Sequence, residues 1–325
     1  RPVIVAINKT DDRRARAGAL DFYELGFEPV VEISAEHGLG IGDLLDEVIE
    51  RLPRGKTEEE KAEAPEPRIA IVGRPNVGKS SLVNRILREE RMLVSDVAGT
   101  TRDAVDTGFR WHHRQFRIVD TAGIRKPGRV ARSGPVEAVS VLTARRAIAD
   151  ADVVVLVIDA TLGAADQDGA IAGEAERAGR SVIIAVNKWD LMKGEGQDFS
   201  KTFDDELRFQ LKFLDFAPIV HISALTGERT PKLLEVVDKV MQERTHRVPT
   251  PELNRFLAEL TAAHPVPSPG STAVRILYAA QVGVAPPTFA LFTNVATELH
   301  FSYERFLKNR IREKFGFPGT PIRLQ

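Results

Sequence analysis

The sequence predicts an α/β protein whose largest part is a doubly wound, mostly parallel sheet. An apolar run at 68–72 leads into a glycine-rich loop and then into an amphipathic helical pattern, the order expected of a parallel α/β unit. A second apolar run, 116–119, ends in Asp120, as a buried strand with a carboxylate at its tip would. Two further β-like runs each end in the same four-residue pattern, which indicates a repeated domain.

The repeated pattern is present twice, but the glycine-rich loop is present once. Asn8-Lys9-Thr10-Asp11 is followed by Ser34-Ala35-Glu36, and Asn187-Lys188-Trp189-Asp190 is followed by Ser223-Ala224-Leu225. We therefore expect one complete copy of the domain, preceded by the second half of another copy. By analogy with the complete copy, the first would need roughly one hundred further residues upstream.

The glycine-rich loop has the spacing of a phosphate-binding P-loop. It reads Gly73-Arg74-Pro75-Asn76-Val77-Gly78-Lys79-Ser80 and continues into Ser81. Its glycines let backbone N–H groups and a helix N-terminus face a phosphate chain. Lys79 is placed to reach the β and γ oxygens, and the Ser80 hydroxyl is placed to bind Mg²⁺. Lys79 is therefore a candidate catalytic residue and Ser80 a candidate metal ligand.

Two downstream segments add the elements that sense a third phosphate. In Asp120-Thr121-Ala122-Gly123, the carboxylate is placed to hold a water of the Mg²⁺ shell and the Gly123 N–H to meet the γ-phosphate. The polar segment between the loops, 99–103, supplies a threonine hydroxyl that completes the metal sphere. We favour Thr101 over Thr100 as this ligand, and Thr101 and Gly123 join the catalytic candidates.

The repeated pattern selects the base. Guanine presents two donors, N1–H and the N2 amino group, so the acceptor-only carboxylate of Asp190 pairs with guanine and repels adenine. Asn187 is placed to tie this loop to the P-loop, the Lys188 stem to cover the base, and the Ala224 N–H to meet the guanine O6. The predicted nucleotides are GTP and GDP. The corresponding candidates in the first copy are Asn8, Lys9 and Asp11.

Taken together, these motifs resemble the bacterial tandem-GTPase family called Der or EngA, over essentially the whole chain. The segments Gly99-Thr100-Thr101-Arg102-Asp103 and 120–130 (DTAGIRKPGRV) strengthen that resemblance. It implies a P-loop GTPase domain at 67–245, preceded by part of a first G domain at 1–53 and a flexible acidic linker at 54–66. It also implies a small KH-like α/β domain at 247–325.

The resemblance further implies GTP hydrolysis coupled to assembly of the large (50S) ribosomal subunit, with that subunit and its rRNA as partners. The alternative is a nucleotide-gated module that binds RNA or the ribosome with little turnover. We expect a cytoplasmic monomer that binds neither membranes nor DNA. The chain has no cysteine, which excludes disulfides, thiol nucleophiles and zinc–thiolate sites, and its longest apolar run, 153–158, is too short to span a membrane.

One position suggests a monovalent cation. Many GTPases place a glutamine after the glycine of the third-phosphate loop, whereas this chain has Ile124, which cannot orient a water. The Asn76 side chain is a candidate ligand for K⁺, as in the potassium-stimulated GTPases that this loop resembles. The alternative is that Asn76 only braces its own turn.

The C-terminal segment is basic. From residue 247 onward nine Arg and Lys face five Glu, in a chain of net charge −1. This suits a nucleic-acid surface, but a solvated helix face explains equally well the four basic residues spread around the last predicted helix: Lys308, Arg310, Arg312 and Lys314. Gly316-Phe317-Pro318-Gly319 spells the GXXG of KH domains but follows a helix instead of joining two. We interpret it as a helix stop and expect this segment to dock on the G domains.

Overall fold

The structure is a computed structural model, in which the described residues form twelve strands, seven helices with the bounds given below and a further helical segment at 144–150. These described residues are 3–11, 22, 26–51, 66–88, 93–94, 106–112, 114–121, 144–196, 198–267, 273–296 and 298–325. The strands are β1 Val5–Ile7, β2 Val30–Glu32, β3 Arg68–Val72, β4 Leu93–Val94, β5 Thr107–Trp111, β6 Arg114–Ile118, β7 Val153–Asp159, β8 Ser181–Asn187, β9 Ile219–His221, β10 Ile276–Val284, β11 Pro287–Thr293 and β12 Arg323–Leu324. The helices are α1 Ile41–Arg51, α2 Lys79–Arg88, α3 Asp166–Arg177, α4 Phe199–Gln210, α5 Thr230–Arg244, α6 Thr250–Ala263 and α7 Phe301–Phe315.

The central sheet has the order β4-β5-β6-β3-β7-β8-β9. All four pairings from β6 to β9 are parallel, and the β4–β5–β6 edge is antiparallel. Every residue of β7 and β8 is buried, because helices cover both faces of this part of the sheet. The predicted doubly wound, mostly parallel sheet is confirmed.

Separate cores lie on the two faces of this sheet. On one face α2 and α5 pack through residues such as Leu82 and Leu233. On the other face the helical residues 144–150 pack together with α3 and α4, including Ile171 and Leu207. Because the central strands are parallel, their carboxyl ends all lie at one edge of the sheet, where the predicted motifs meet.

No helix in the described part of the chain is long and apolar enough to cross a membrane.

The first segment repeats the end of that architecture on a smaller scale. Strands β1 and β2 pair in parallel, with Val5 opposite Val30 and Ile7 opposite Glu32, and α1 follows them. This matches β8, β9 and α5 of the central domain in order and orientation. The linker predicted at 54–66 lies outside the described residues except for Glu66.

The C-terminal segment forms a small sheet covered by two helices. Strand β10 pairs antiparallel with β11, and β11 pairs parallel with β12. Helices α6 and α7 share one core with this sheet, centred on Leu253, Phe289 and Leu307. The order is helix, two strands, helix and a terminal strand, which gives the expected KH-like arrangement.

The GXXG-like sequence ends α7 and then contacts the central domain. Gly316 has φ 91° and donates its N–H to the Arg312 carbonyl at 2.9 Å, so the predicted helix stop is confirmed. Gly319 donates to the carbonyl of Phe216 at 2.8 Å and accepts from the N–H of Val182 at 2.7 Å. A Cβ on Gly319 would lie 2.6 Å from Val240, so only glycine permits this approach.

Arg244 links the same two domains from the end of α5. Its side chain is buried, and it donates to the carbonyls of Gly179 at 2.8 Å and Ala285 at 3.4 Å. Gly179 precedes β8, whereas Ala285 lies in the β10–β11 turn. Burial lowers the pKa of Arg244, and the cost of desolvating this guanidinium is offset by both hydrogen bonds, of which the one to Ala285 joins the two domains.

Candidate nucleotide-binding site

The P-loop lies between the carboxyl end of β3 and the start of α2, as predicted. Gly73 and Gly78 both have positive φ, 142° and 99°. A Cβ on Gly73 would lie 2.4 Å from the Val157 carbonyl oxygen, and a Cβ on Gly78 would lie 2.2 Å from Asn187 Nδ2. Glycine is therefore required twice in this loop, for its backbone conformation and for the close approach of its neighbours.

Lys79 is the first residue of α2, and its ammonium group turns back over the loop. Nζ donates to the carbonyl oxygens of Gly73 at 2.8 Å and Arg74 at 2.6 Å. Burial lowers the pKa of Lys79, and the negative charge of Asp168 opposes that effect. The loop thus holds a cation beside the N-terminus of a helix, which is an arrangement suited to phosphate.

Arg74 is held away from the loop interior by an acidic residue that we did not predict. Its Nε lies 2.7 Å from Asp168 Oδ2, and its Nη2 donates to the Gly163 carbonyl at 2.6 Å. Asp168 is fully buried, and this burial raises the pKa of its carboxyl group. The Arg74 side chain therefore anchors the P-loop to the start of α3. No short sequence motif contains both Arg74 and Asp168, so this ion pair could not be predicted from the sequence.

The other P-loop residues are distributed between surface and core. Pro75, Asn76, Ser80 and Ser81 are exposed, and Val77 is buried. Asn76 has φ 64°, and its side chain makes no hydrogen bond to any described residue. The alternative that its side chain braces the turn has no supporting hydrogen bond in the described part of the chain.

The candidate metal ligands come from two neighbouring elements. Ser80 lies in the first turn of α2, and Asp120 follows β6 with φ 54° and donates its N–H to Asp106 Oδ1 at 3.1 Å. The buried Thr121 hydroxyl lies 3.0 Å from that of Thr107. The remaining candidates in these loops lie outside the described residues: Thr100, Thr101, Ala122 and Gly123. Within the described ranges no three or more His, Asp or Glu side chains cluster as a metal site.

Asn187 joins three loops through one buried amide. It is the last residue of β8, and its Nδ2 donates to the Val77 carbonyl in the P-loop at 2.8 Å. Its Oδ1 accepts from the Ala224 N–H at 2.9 Å, in the segment that follows β9. The phosphate loop, the Asn-Lys-x-Asp loop and the Ser-Ala loop are thereby fixed relative to one another.

Lys188 and Asp190 form the turn after β8. Lys188 has φ 65°, and its Nζ lies 2.5 Å from Asp159 Oδ2. Burial by itself would raise the pKa of the Asp159 carboxyl, but hydrogen bonds from Lys188 and Thr161 outweigh burial and lower it. Asp190 is half-buried at the start of a short 3₁₀ turn, Trp189–Met192. The salt bridge to Asp159 thus fixes the charged end of the Lys188 side chain.

Two supports of the Ser-Ala loop escaped sequence reasoning. Arg85 on α2 donates from Nε to the Ala224 carbonyl at 3.3 Å and from Nη2 to the Leu225 carbonyl. Trp189 stacks on His221 with ring centroids 3.9 Å apart, and His221 Nε2 lies 2.8 Å from Asp204. These contacts join positions 17 to 140 residues apart, so no short sequence motif contains them.

The Ser-Ala loop is closed by a local hydrogen bond. The Ser223 hydroxyl accepts from the Thr226 N–H at 3.1 Å.

The first copy reproduces the geometry of the base-reading loops. Asn8 Oδ1 accepts from the Ala35 N–H at 3.0 Å, as Asn187 does from Ala224, and Lys9 has φ 70°. The Ile33 N–H donates to the Ile7 carbonyl at 2.7 Å, and the matching bond in the second copy is 2.8 Å. The repeat recognised in the sequence is therefore a repeat of hydrogen bonds as well.

The two copies differ at the aspartate that ends the repeated four-residue pattern. Asp11 lies 3.3 Å from His37 Nε2, and a hydrogen bond from Ser34 lowers the pKa of its carboxyl, with His37 adding to that effect. Thr226 occupies the position of His37 in the second copy, since both N–H groups donate to the serine hydroxyl of their loop. The Asp11 carboxylate thus has an imidazole neighbour that Asp190 lacks among the described residues.

Family models match most of the chain. Residues 68–188 match the model described as 50S ribosome-binding GTPase, and residues 137–243 match the Elongation factor Tu GTP binding domain. Residues 247–325 match the KH-domain-like, C-terminal part of EngA bacterial GTPase enzymes.

Two curated relatives match the whole length of this chain. GTPase Der of Bacillus cytotoxicus is 50% identical over 324 residues, which is 100% of this chain and 73% of that protein, and GTPase Der of Bacillus cereus is 48% identical over the same span. Among solved structures, Era of Aquifex aeolicus is 24% identical, with a TM-score of 0.40 over 80% of this chain and 91% of that one. Given the identity to these two GTPase Der proteins and the P-loop, the repeated Asn-Lys-x-Asp loops and the KH-like domain described above, this chain belongs to the GTPase Der (EngA) family of GTP-binding enzymes with tandem G domains.

Proposed function

We propose that the second G domain hydrolyses GTP with K⁺ as a stimulating cation, and that the chain acts in assembly of the large ribosomal subunit. The observation that carries the enzymatic part is the connection of the phosphate loop to both base-reading loops through Asn187. One rigid amide aligns a triphosphate site with a guanine site, which is the geometry that a nucleotide spanning both requires.

The residues have distinct roles in this proposal. Lys79 binds the β and γ oxygens of GTP. These oxygens replace the loop carbonyls that accept hydrogen bonds from its Nζ. Asp190 accepts from the two guanine donors, and the Lys188 stem covers the base while Asp159 holds its ammonium group. Each of these interactions becomes stronger when water leaves the site. The groups that bind GTP therefore also stabilise the charge that develops in the transition state.

Mg²⁺ fits the donor set, since hydroxyl and carboxylate oxygens are its preferred protein ligands. Ser80 and Thr101 would bind it directly and Asp120 through a water. When bound, Mg²⁺ neutralises charge on the β and γ phosphates.

K⁺ is proposed because Ile124 supplies no polar group and Asn76 offers an exposed amide oxygen. A cation there would add positive charge beside the phosphates, as an arginine does in other GTPases. We expect turnover to fall by about tenfold or more when Na⁺ replaces K⁺, which corresponds to about 1.4 kcal/mol of transition-state stabilisation. Phosphate release measured with each cation as the only monovalent ion tests this.

Asn76→Ala should abolish the difference between the two cations without restoring the rate. The fluorescence of a bound GTP analogue provides the control, because ground-state binding should change little. Equal turnover of the unmutated chain in K⁺ and Na⁺ would refute the cation proposal and leave Asn76 as a turn residue.

The ribosomal part rests on the family model that matches residues 68–188 and on the basic C-terminal domain. We expect the chain to sediment with large-subunit particles in the presence of a non-hydrolysable GTP analogue and to be released with GDP. Its partner there is the rRNA of that subunit. Sedimentation that is identical with both nucleotides would contradict a nucleotide-controlled association.

A further inference from the structure

A groove of about 570 Å³ lies where the KH-like domain meets the second G domain. One wall is the end of α4 and the turn that follows it, and the other is α7. Phe216 and Arg312 form part of the lining where the walls meet, with the guanidinium carbon 4.6 Å from the ring centroid. This volume lies within the range of roughly 300–1,000 Å³ typical of ligand sites, which often form at domain interfaces.

The lining contains three exposed phenylalanine rings. Phe209 is 70% exposed, Phe301 is 75% exposed and Phe213 is 36% exposed. Phe209 and Phe213 come from the G domain, whereas Phe301 begins α7 of the KH-like domain. Rings exposed to this extent on both sides of a groove are costly in water and typical of a contact surface. Flat rings of this kind receive unpaired bases by stacking.

Cations and amides surround these rings. The Nζ of Lys212 lies 3.9 Å from the Phe209 ring centroid, and Arg305 is exposed on α7. Gln210 and Asn309 add amide groups that can both donate and accept hydrogen bonds.

The negative charges of the carboxylates that line the groove are largely balanced by neighbouring cations. Lys308 Nζ lies 2.6 Å from Glu304, and Asp215 interacts with the charge of the largely buried Arg312. Glu176 is the third carboxylate, so four cations stand against three anions. Lys212 and Arg305 form no ion pair with any described residue. Their charge is thus available to an anionic occupant.

We propose that this groove binds unpaired nucleotides of RNA. Bases stack on Phe209 and Phe301, the amides of Gln210 and Asn309 meet base edges, and Lys212 and Arg305 contact phosphates. An apolar peptide would use the rings but would leave both cations without a partner. The inference rests on the proposed function in that the RNA belongs to the large ribosomal subunit. It also requires the two domains to be docked, since each supplies one of the stacking rings.

The test is binding of a fluorescently labelled short single-stranded RNA to the full chain, followed by anisotropy. Phe209→Ala and Phe301→Ala should each weaken binding by about tenfold, the loss typical of one stacked base. Phe292→Ala is the matched control, because that ring is 53% exposed on β11 and lies outside the groove. GTP affinity should stay unchanged in all three variants, which reports that the fold is intact.

Unchanged RNA affinity of the two groove variants, or equal affinity for a blunt RNA duplex, would overturn the proposal. Sedimentation with large-subunit particles separates it from the proposed function. If the unmutated chain fails to associate with particles while RNA binding still depends on the rings, the ribosomal role is wrong and the groove stands. If the groove variants lose particle association but keep RNA binding, the groove takes a protein segment and the RNA proposal is wrong.

Discussion

Replacing Lys79 by alanine is expected to lower the affinity of the second G domain for GTP by at least about a hundredfold. Its ammonium group is the cation that the P-loop holds at its centre, between the carbonyls of Gly73 and Arg74. Arg74 cannot replace it, because its guanidinium group is paired with the buried Asp168. Without Lys79 the β and γ oxygens would lose a charge-assisted partner in a partly buried site, where such bonds are strongest.

Isothermal titration calorimetry with GTP and GDP measures this loss. Lys201→Ala is the matched control, since Lys201 is an exposed residue of α4. The fall should be larger for GTP than for GDP, because only GTP has γ oxygens. An unaltered GTP affinity in Lys79→Ala would contradict the assignment of the P-loop as the phosphate site.

Gly78→Ala is expected to disrupt phosphate binding and base binding together. Its Cβ would lie 2.2 Å from Asn187 Nδ2, so Asn187 must move and give up its bond to the Val77 carbonyl. The same amide holds the Ala224 N–H at 2.9 Å, so the Ser-Ala loop loses its support as well. We expect GTP affinity to fall by about a hundredfold, and GDP affinity to fall similarly because both nucleotides need these loops aligned.

Gly194→Ala separates this collision from backbone strain. Gly194 has φ 122°, which is also unfavourable for alanine, but no atom lies within 4 Å of its added Cβ. Thermal unfolding of both variants reports the cost of strain, and nucleotide titration reports the cost of moving Asn187. If the two variants lose the same affinity, then strain alone accounts for the effect and Asn187 does not align the loops.

Much of the architecture was predictable because its signals are local. The apolar runs that became β3, β7 and β8 are buried on both faces, so they read as continuous hydrophobic stretches followed by polar motifs. The helix stop at Gly316 was recognisable from glycine and proline spacing alone. The roles of the P-loop and base-reading residues in binding nucleotide stay predictions, as do those of Thr101 and Gly123.

The environment of the basic residues on the last helix could not be predicted from the local sequence. They looked equally suited to an RNA surface or a solvated face, but Arg312 is largely buried against Phe216, and its burial lowers its pKa to about 10. Lys308 is paired with Glu304, and Arg310 lies 2.5 Å from Glu313. The cation that we assign to RNA on this helix is instead Arg305, whose place beside exposed rings depends on the other domain.

The sequence by itself determined the repeated base-reading motif, the single P-loop and the order of helices and strands. These follow from residue type and periodicity within short windows. Only the tertiary structure decided that Asp168 holds Arg74, that Arg85 supports the Ala224 loop, and that Gly319 docks the KH-like domain on β8. The physical reason is that these contacts join residues 94 to 139 positions apart, and a buried polar group takes whichever partner the fold brings within hydrogen-bonding distance.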